Sequence, residues 1–114
     1  MATAYQRGRS FEYRAKRDLE KAGYHVFRSA QSKGVADLIA LKKRRTPLLI
    51  QCKLSPGACG HEEWNEMLAA AVDCGANAIL VDQKKPRSPL RYWLITGLKE
   101  KGVGRYDKIC REFN

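Results

Sequence analysis

Apolar positions recur along the chain in two rhythms. Between Arg7 and Ala22, the residues Phe11, Ala15, Leu19 and Ala22 fall at i, i+4, i+8 and i+11, a helical stripe that Gly23 brings to a stop. Tyr24 to Phe27 reads as a short strand, and Arg28-Ser29-Ala30-Gln31-Ser32-Lys33-Gly34 as a polar loop. Val35 to Leu41 and Leu48 to Leu54 read as two further strands, joined by the basic turn Lys42 to Pro47. Ser55-Pro56-Gly57 breaks the chain. A second helix is predicted over Glu62 to Cys74, with Trp64, Leu68, Ala71 and Val72 inward and Gly75 closing it. Its acidic pair Glu62-Glu63 suits the positive end of the helix dipole. Asn77 to Val81 is almost wholly apolar, as a strand covered on both faces should be. Leu90 to Ile95 makes a fifth strand, and Tyr106 to Phe113 a short terminal helix.

The order αβββαββ(α) predicts one α/β domain over residues 1–114, with a mixed central sheet flanked by helices. Strand Leu48–Leu54, helix Glu62–Cys74 and strand Asn77–Val81 make a natural right-handed crossover. A 44 % hydrophobic and 30 % charged composition excludes intrinsic disorder and fibrous classes. Apolar runs such as Ala76 to Val81 are too short to span a membrane, and the first residues lack a signal-peptide core. The expectation is a soluble, cytoplasmic protein. Its cysteines, Cys52, Cys59, Cys74 and Cys110, form no Cys-x-x-Cys pair, and two histidines complete no zinc set. They read as reduced and structural, with Cys52 and Cys74 in apolar runs.

Charge changes the picture more than composition does. The formal net charge is +10, and residues 1–53 carry 13 Lys and Arg against 4 Asp and Glu, so the excess lies almost entirely in the first half. Solubilising charge mixes its signs more evenly; a one-sided basic half points to a polyanion, nucleic acid before an anionic membrane.

One acid stands out. Asp37 interrupts the apolar run Val35 to Leu41, and a carboxylate buried there needs a partner, a hydrogen-bond set or a metal. If the strands on either side of Arg44 form a hairpin centred on it, Asp37 faces Gln51, Ile39 faces Leu49, and Lys53 lies diagonal to Asp37. Glu12 borders the buried stripe of the first helix, although an exposed Glu12–Lys16 pair is the plainer reading of that residue taken alone. Two acids, then a polar-x-Lys on the next strand, describe the donors and the cation of a metal-dependent nuclease.

Three stretches, Gly8-Arg9-Ser10-Phe11-Glu12, Arg28 through Ala40, and Leu49-Ile50-Gln51-Cys52-Lys53, resemble the archaeal-type Holliday junction resolvases. These belong to the D-(D/E)-x-K nuclease superfamily, the fold of many restriction enzymes. The resemblance covers residues 7–54 well and reaches more loosely to about Asp82. It implies that Glu12, Asp37, Gln51 and Lys53 form the active site, with the main-chain carbonyl of Cys52 as a further metal ligand. Ser32 resembles a family serine near the scissile phosphate, and Arg28 an arginine at the start of the loop that activity requires. It also implies Mg²⁺, with Mn²⁺ able to substitute. The chain departs from the pattern twice. Gln51 stands where the family usually has glutamate, and Tyr13 follows Glu12 where some relatives carry arginine.

The resulting expectation is a small structure-selective DNA endonuclease that resolves four-way junctions as a homodimer. Arg7, Arg9, Arg14, Lys33, Lys42, Lys43, Arg44 and Arg45 would contact phosphates. The dimer surface is expected on the later strands, where Leu90, Tyr92, Trp93 and Leu94 give more apolar bulk than one sheet face needs. A nicking or restriction-type nuclease, and a non-catalytic DNA-binding module on the same fold, remain open alternatives.

Overall fold

In the computed structural model, which describes residues 4–29, 35–53, 59–85, 87–101 and 109–113, a long helix α1 (Ala4–Lys21) opens the chain. A left-handed Gly23 (φ 97) turns it into β1 (His25–Arg28). The hairpin β2 (Leu38–Leu41) and β3 (Leu48–Cys52) follows, then α2 (His61–Cys74), β4 (Asn77–Gln83), β5 (Leu90–Ile95) and β6 (Cys110–Glu112). The six strands lie side by side in sequence order, with β3 and β4 parallel and every other neighbour antiparallel. Helix α2 bridges that parallel pair, as a crossover must.

The two helices take opposite faces. Phe11, Ala15 and Leu19 of α1 pack with Val26, Leu38, Ala40, Leu48, Ile50, Ile79 and Val81. Trp64, Met67 and Ala71 of α2 pack with Leu49, Ala78, Leu80 and Ile95. Residues of β3 and β4 are therefore buried on both sides, which is why they read as unbroken apolar runs.

The structure corrects several expectations. Cys110–Glu112 is an edge strand paired with β5, not part of a helix; residues 106–108 lie outside the described set. Helix α2 seats Trp64, Met67 and Ala71 inward, so Val72, expected inside, is 72 % exposed. Cys74, expected in an apolar run, is exposed at the end of α2. Strand β2 starts at Leu38, so Asp37 sits at its mouth rather than in its middle. Four apolar residues of β5 are half-buried, Leu90, Tyr92 and Leu94 against the α1 core and Trp93 against the α2 core. Among the described residues, β1 and β2 also present apolar side chains to the surface: Phe27, Ile39 and Leu41 are 57 %, 42 % and 41 % exposed. Ile39 pairs with both Phe27 and Leu49, so this patch continues the sheet face that α2 covers only over β3 and β4.

Candidate active site

The β2–β3 hairpin fixes the centre of the site. Arg44 adopts a left-handed conformation (φ 63) at its tip, and the register pairs Ile39 with Leu49 and Leu38 with Ile50. Continued by one residue, that register sets Asp37 beside Gln51, as the sequence predicts, and two hydrogen bonds secure it. The Asp37 N–H donates to Ile50 O at 2.8 Å, and Asp37 Oδ2 accepts the Cys52 N–H at 2.9 Å. Gln51 is buried, and its Nε2 donates to Val35 O at 3.0 Å, pinning the segment that leads into Asp37. Lys53 emerges where β3 ends, its own N–H held by Val81 O at 2.9 Å.

Glu12 arrives from α1. Its Oε1 accepts Arg28 Nε at 3.2 Å, an ion pair whose two side chains are 14 % and 19 % exposed. Burial pushes the Glu12 carboxyl above its ordinary value, and the negative charge of Asp37 adds to the rise, with Arg28 opposing. Burial likewise raises Asp37, against the Cys52 N–H and the charge of Lys53, which favour its ionised form. Lys53 goes the other way. Burial works against its charge, but Glu63 in the first turn of α2 lies 2.7 Å from Nζ and holds the ammonium above the usual lysine value.

Asp37 opposes the ionisation of Glu12, and Glu63 opposes that of Asp37, so the negative charge gathered here is one that a cation relieves. Among the described residues, no three Asp, Glu, His or Cys side chains gather into a metal cluster. A divalent ion would thus rely on Glu12 and Asp37, with neutral oxygens of Gln51 and the Cys52 main chain and with water. Such a set suits a hard divalent cation that keeps several of its waters.

A model of the archaeal Holliday junction resolvase (Hjc) family matches residues 3–111. The chain belongs to this family. The crossover junction endodeoxyribonuclease Hjc of Methanocaldococcus jannaschii is 53 % identical over 55 residues, which is 48 % of this chain and 40 % of that protein. The match thus spans less than half the length of that curated relative. The solved structure of Hjc from Archaeoglobus fulgidus, a Holliday junction resolvase from an archaeal hyperthermophile, superposes with a TM-score of 0.68. It is 27 % identical, and the superposition covers 83 % of this chain and 80 % of that one.

Within this Hjc-family chain, Glu12, Arg28, Asp37, Gln51, Cys52 and Lys53 share one end of the β2–β3 hairpin. Ser32 and Lys33 lie outside the described residues. The basic tip does not join them. Lys43, Arg44 and Arg45 are exposed at the far end of the hairpin, roughly 20 Å from Asp37 at about 3.3 Å per residue. Lys42 turns inward, donating to Ala22 O at 2.6 Å beyond the end of α1. Arg14 donates to Ser88 O at 3.0 Å. Arg9 is exposed on α1, one turn before Tyr13; Arg7 is in the same helix, its side chain outside the described set.

Two residues at the site escape the sequence reading. Glu63 looks like a dipole-matching acid, yet the crossover returns the start of α2 beside the end of β3, where its carboxylate meets Lys53 Nζ. Asp82 lies on β4 one position beyond Val81, and is 2 % exposed. It is not a spare ligand: Arg91 takes both its oxygens at 2.9 and 3.0 Å, and Trp93 Nε1 donates to Oδ1 at 3.1 Å.

Proposed function

We propose that this chain is a metal-dependent endodeoxyribonuclease that resolves four-way DNA junctions, with Mg²⁺ as cofactor and Mn²⁺ able to substitute. The observation that carries this reading is the meeting of Glu12, Asp37 and Lys53 at one end of β3 in a chain of the Hjc family. Gln51 and the Cys52 carbonyl complete the oxygen set. When bound, the ion supplies a polarised scissile phosphate and a water of lowered pKa.

The chain's own groups do the rest. Lys53 stays charged and meets negative charge as it builds on the phosphoryl oxygens. Arg28, against Glu12, holds a second cation at the edge of the acidic pair. Ser32 and Lys33 belong to the segment that leads to Asp37 and are assigned to the phosphate side. Arg9, Lys43, Arg44 and Arg45 read the junction by backbone position rather than base edges. Branched DNA as substrate implies an intracellular setting, and no helix among the described residues is long and apolar enough to cross a membrane.

Resolution requires two opposed nicks, and one copy carries one site. A homodimer is proposed on that ground, with the open face of Phe27, Ile39 and Leu41 as the contact between copies.

The test is cleavage of a synthetic four-way junction against linear duplex of the same sequence. Mg²⁺-dependent cutting of the junction in symmetric strands, lost in EDTA, is the expected result. Equal cutting of the duplex would make the protein a nicking or restriction-type enzyme, and tight binding with no metal-dependent cutting would make it a binding module.

A further inference from the structure

Tyr13 is an exposed aromatic beside the buried Glu12, and two guanidinium groups lie around it. Arg9, four residues earlier on α1, sits on the same helix face, its Cζ 5.7 Å from the ring centroid. Arg28, at the end of β1, brings its Cζ to 5.0 Å from the same centroid while its Nε holds Glu12. The ring is 39 % exposed and belongs to neither core cluster, so core packing does not explain its place. Two like charges drawn to one small surface region repel each other unless something between them is attractive. The Glu12 carboxylate already holds Arg28, and the Tyr13 face adds an attraction that both guanidinium groups feel. Hydrogen bonding and charge from Arg9, and the charge of Arg28, draw the phenol below its ordinary value.

We propose that Tyr13 is a positioning residue that sets Arg9 and Arg28 as a paired phosphate clamp on the DNA strand beside the metal site. This rests on the nuclease reading above and extends it to how the strand is held. Arg28 links the clamp to Glu12, so a phosphate gripped by the pair is placed against the acidic pocket rather than elsewhere on the basic surface. The two cations come from different elements, and the Tyr13 ring lies against both.

The test is junction binding in EDTA, where nothing is cut, measured from low to moderate salt for wild type, Tyr13→Phe and Tyr13→Ala. The Ala variant should bind about tenfold more weakly and show a salt slope shallower by about 0.9 for each phosphate that the clamp no longer neutralises. The Phe variant keeps the ring for Arg28 but loses the hydroxyl for Arg9, and should fall between the two. Thermal melting should hardly move, because the side chain is exposed. Wild-type affinity and slope in the Ala variant would overturn the clamp, as would weaker binding with an unchanged slope and a lowered melting temperature, the mark of a structural role. If the wild-type chain itself fails to bind junctions, the nuclease reading falls first and the clamp with it.

Discussion

At the residue scale, the acids of the site are held at a cost. Burial raises Asp37, so its ionised form weakens the metal-free fold above that raised pKa. The penalty fades as pH falls toward the ordinary carboxylate value, because the folded state then binds the proton more readily than the unfolded chain. Asp37→Asn keeps an oxygen for the Cys52 N–H and removes the charge. Without metal it should melt no lower than wild type at pH 7, the difference closing on acidification, and it should bind junctions without cutting them. Cutting at near wild-type rate would remove Asp37 from the site; a markedly lower melting temperature would make it a fold element. Gln51→Glu tests the neighbouring position from the other side. It adds a third acid to a pair already raised and breaks the donor bond to Val35 O at 3.0 Å. The variant should melt lower without metal yet reach half-maximal cleavage at lower Mg²⁺. A titration curve superimposable on wild type would show that position 51 contributes no metal ligand.

At the element scale, Glu63 can meet Lys53 only because the start of α2 is tied down. Asn65 Nδ2 donates to Lys99 O at 2.9 Å and its Oδ1 accepts the Lys99 N–H at 2.8 Å. Trp64 Nε1 reaches Gly97 O at 2.8 Å, and the buried Lys99 Nζ reaches Cys59 O at 2.6 Å. Asn65→Ala orphans both Lys99 backbone groups and should cost about 1–3 kcal/mol, read as a lower urea midpoint at unchanged slope. An unshifted midpoint would show that water replaces the clamp freely. None of these ties has a local signature, since each joins α2 to a segment more than 30 positions away. The hairpin register was legible because it depends on neighbours: a short basic turn centred on Arg44 and alternating positions on both sides dictate it. That register alone carries Asp37, Gln51 and Lys53 to one place. Strand β6 was illegible for the opposite reason. Three residues are too few to show a period, and Cys110–Glu112 is a strand only because β5 offers an edge.

At the scale of the whole molecule, the sheet is unevenly dressed. Helix α1 lies across β1, β2 and β3, whereas α2 rests on β3 and β4, so among the described elements no helix covers the other face of β1 and β2. Phe27, Ile39 and Leu41 stand together there in paired register, an apolar cluster on a chain of net charge +10. Isolated exposed apolar residues are ordinary, but a contiguous set on a flat sheet face marks a contact surface. In the homodimer proposed above, the two-fold symmetry of a four-way junction and its two opposed nicks are matched by a second copy related by a two-fold axis. The face lies on the two strands that end at the site, so a dimer built through it fixes the spacing of two active sites by rigid strands rather than loops. Phe27→Glu places a charge in the middle of that contact on a residue already 57 % exposed, so the monomer fold should be unharmed. Wild type should sediment at micromolar concentration at twice the 12.9 kDa chain mass and linearise a plasmid cruciform within one binding event. The Phe27→Glu protein should sediment as a 12.9 kDa species, keep its melting temperature, and let nicked circles accumulate. A variant that stays dimeric and still makes paired nicks would move the contact to another surface.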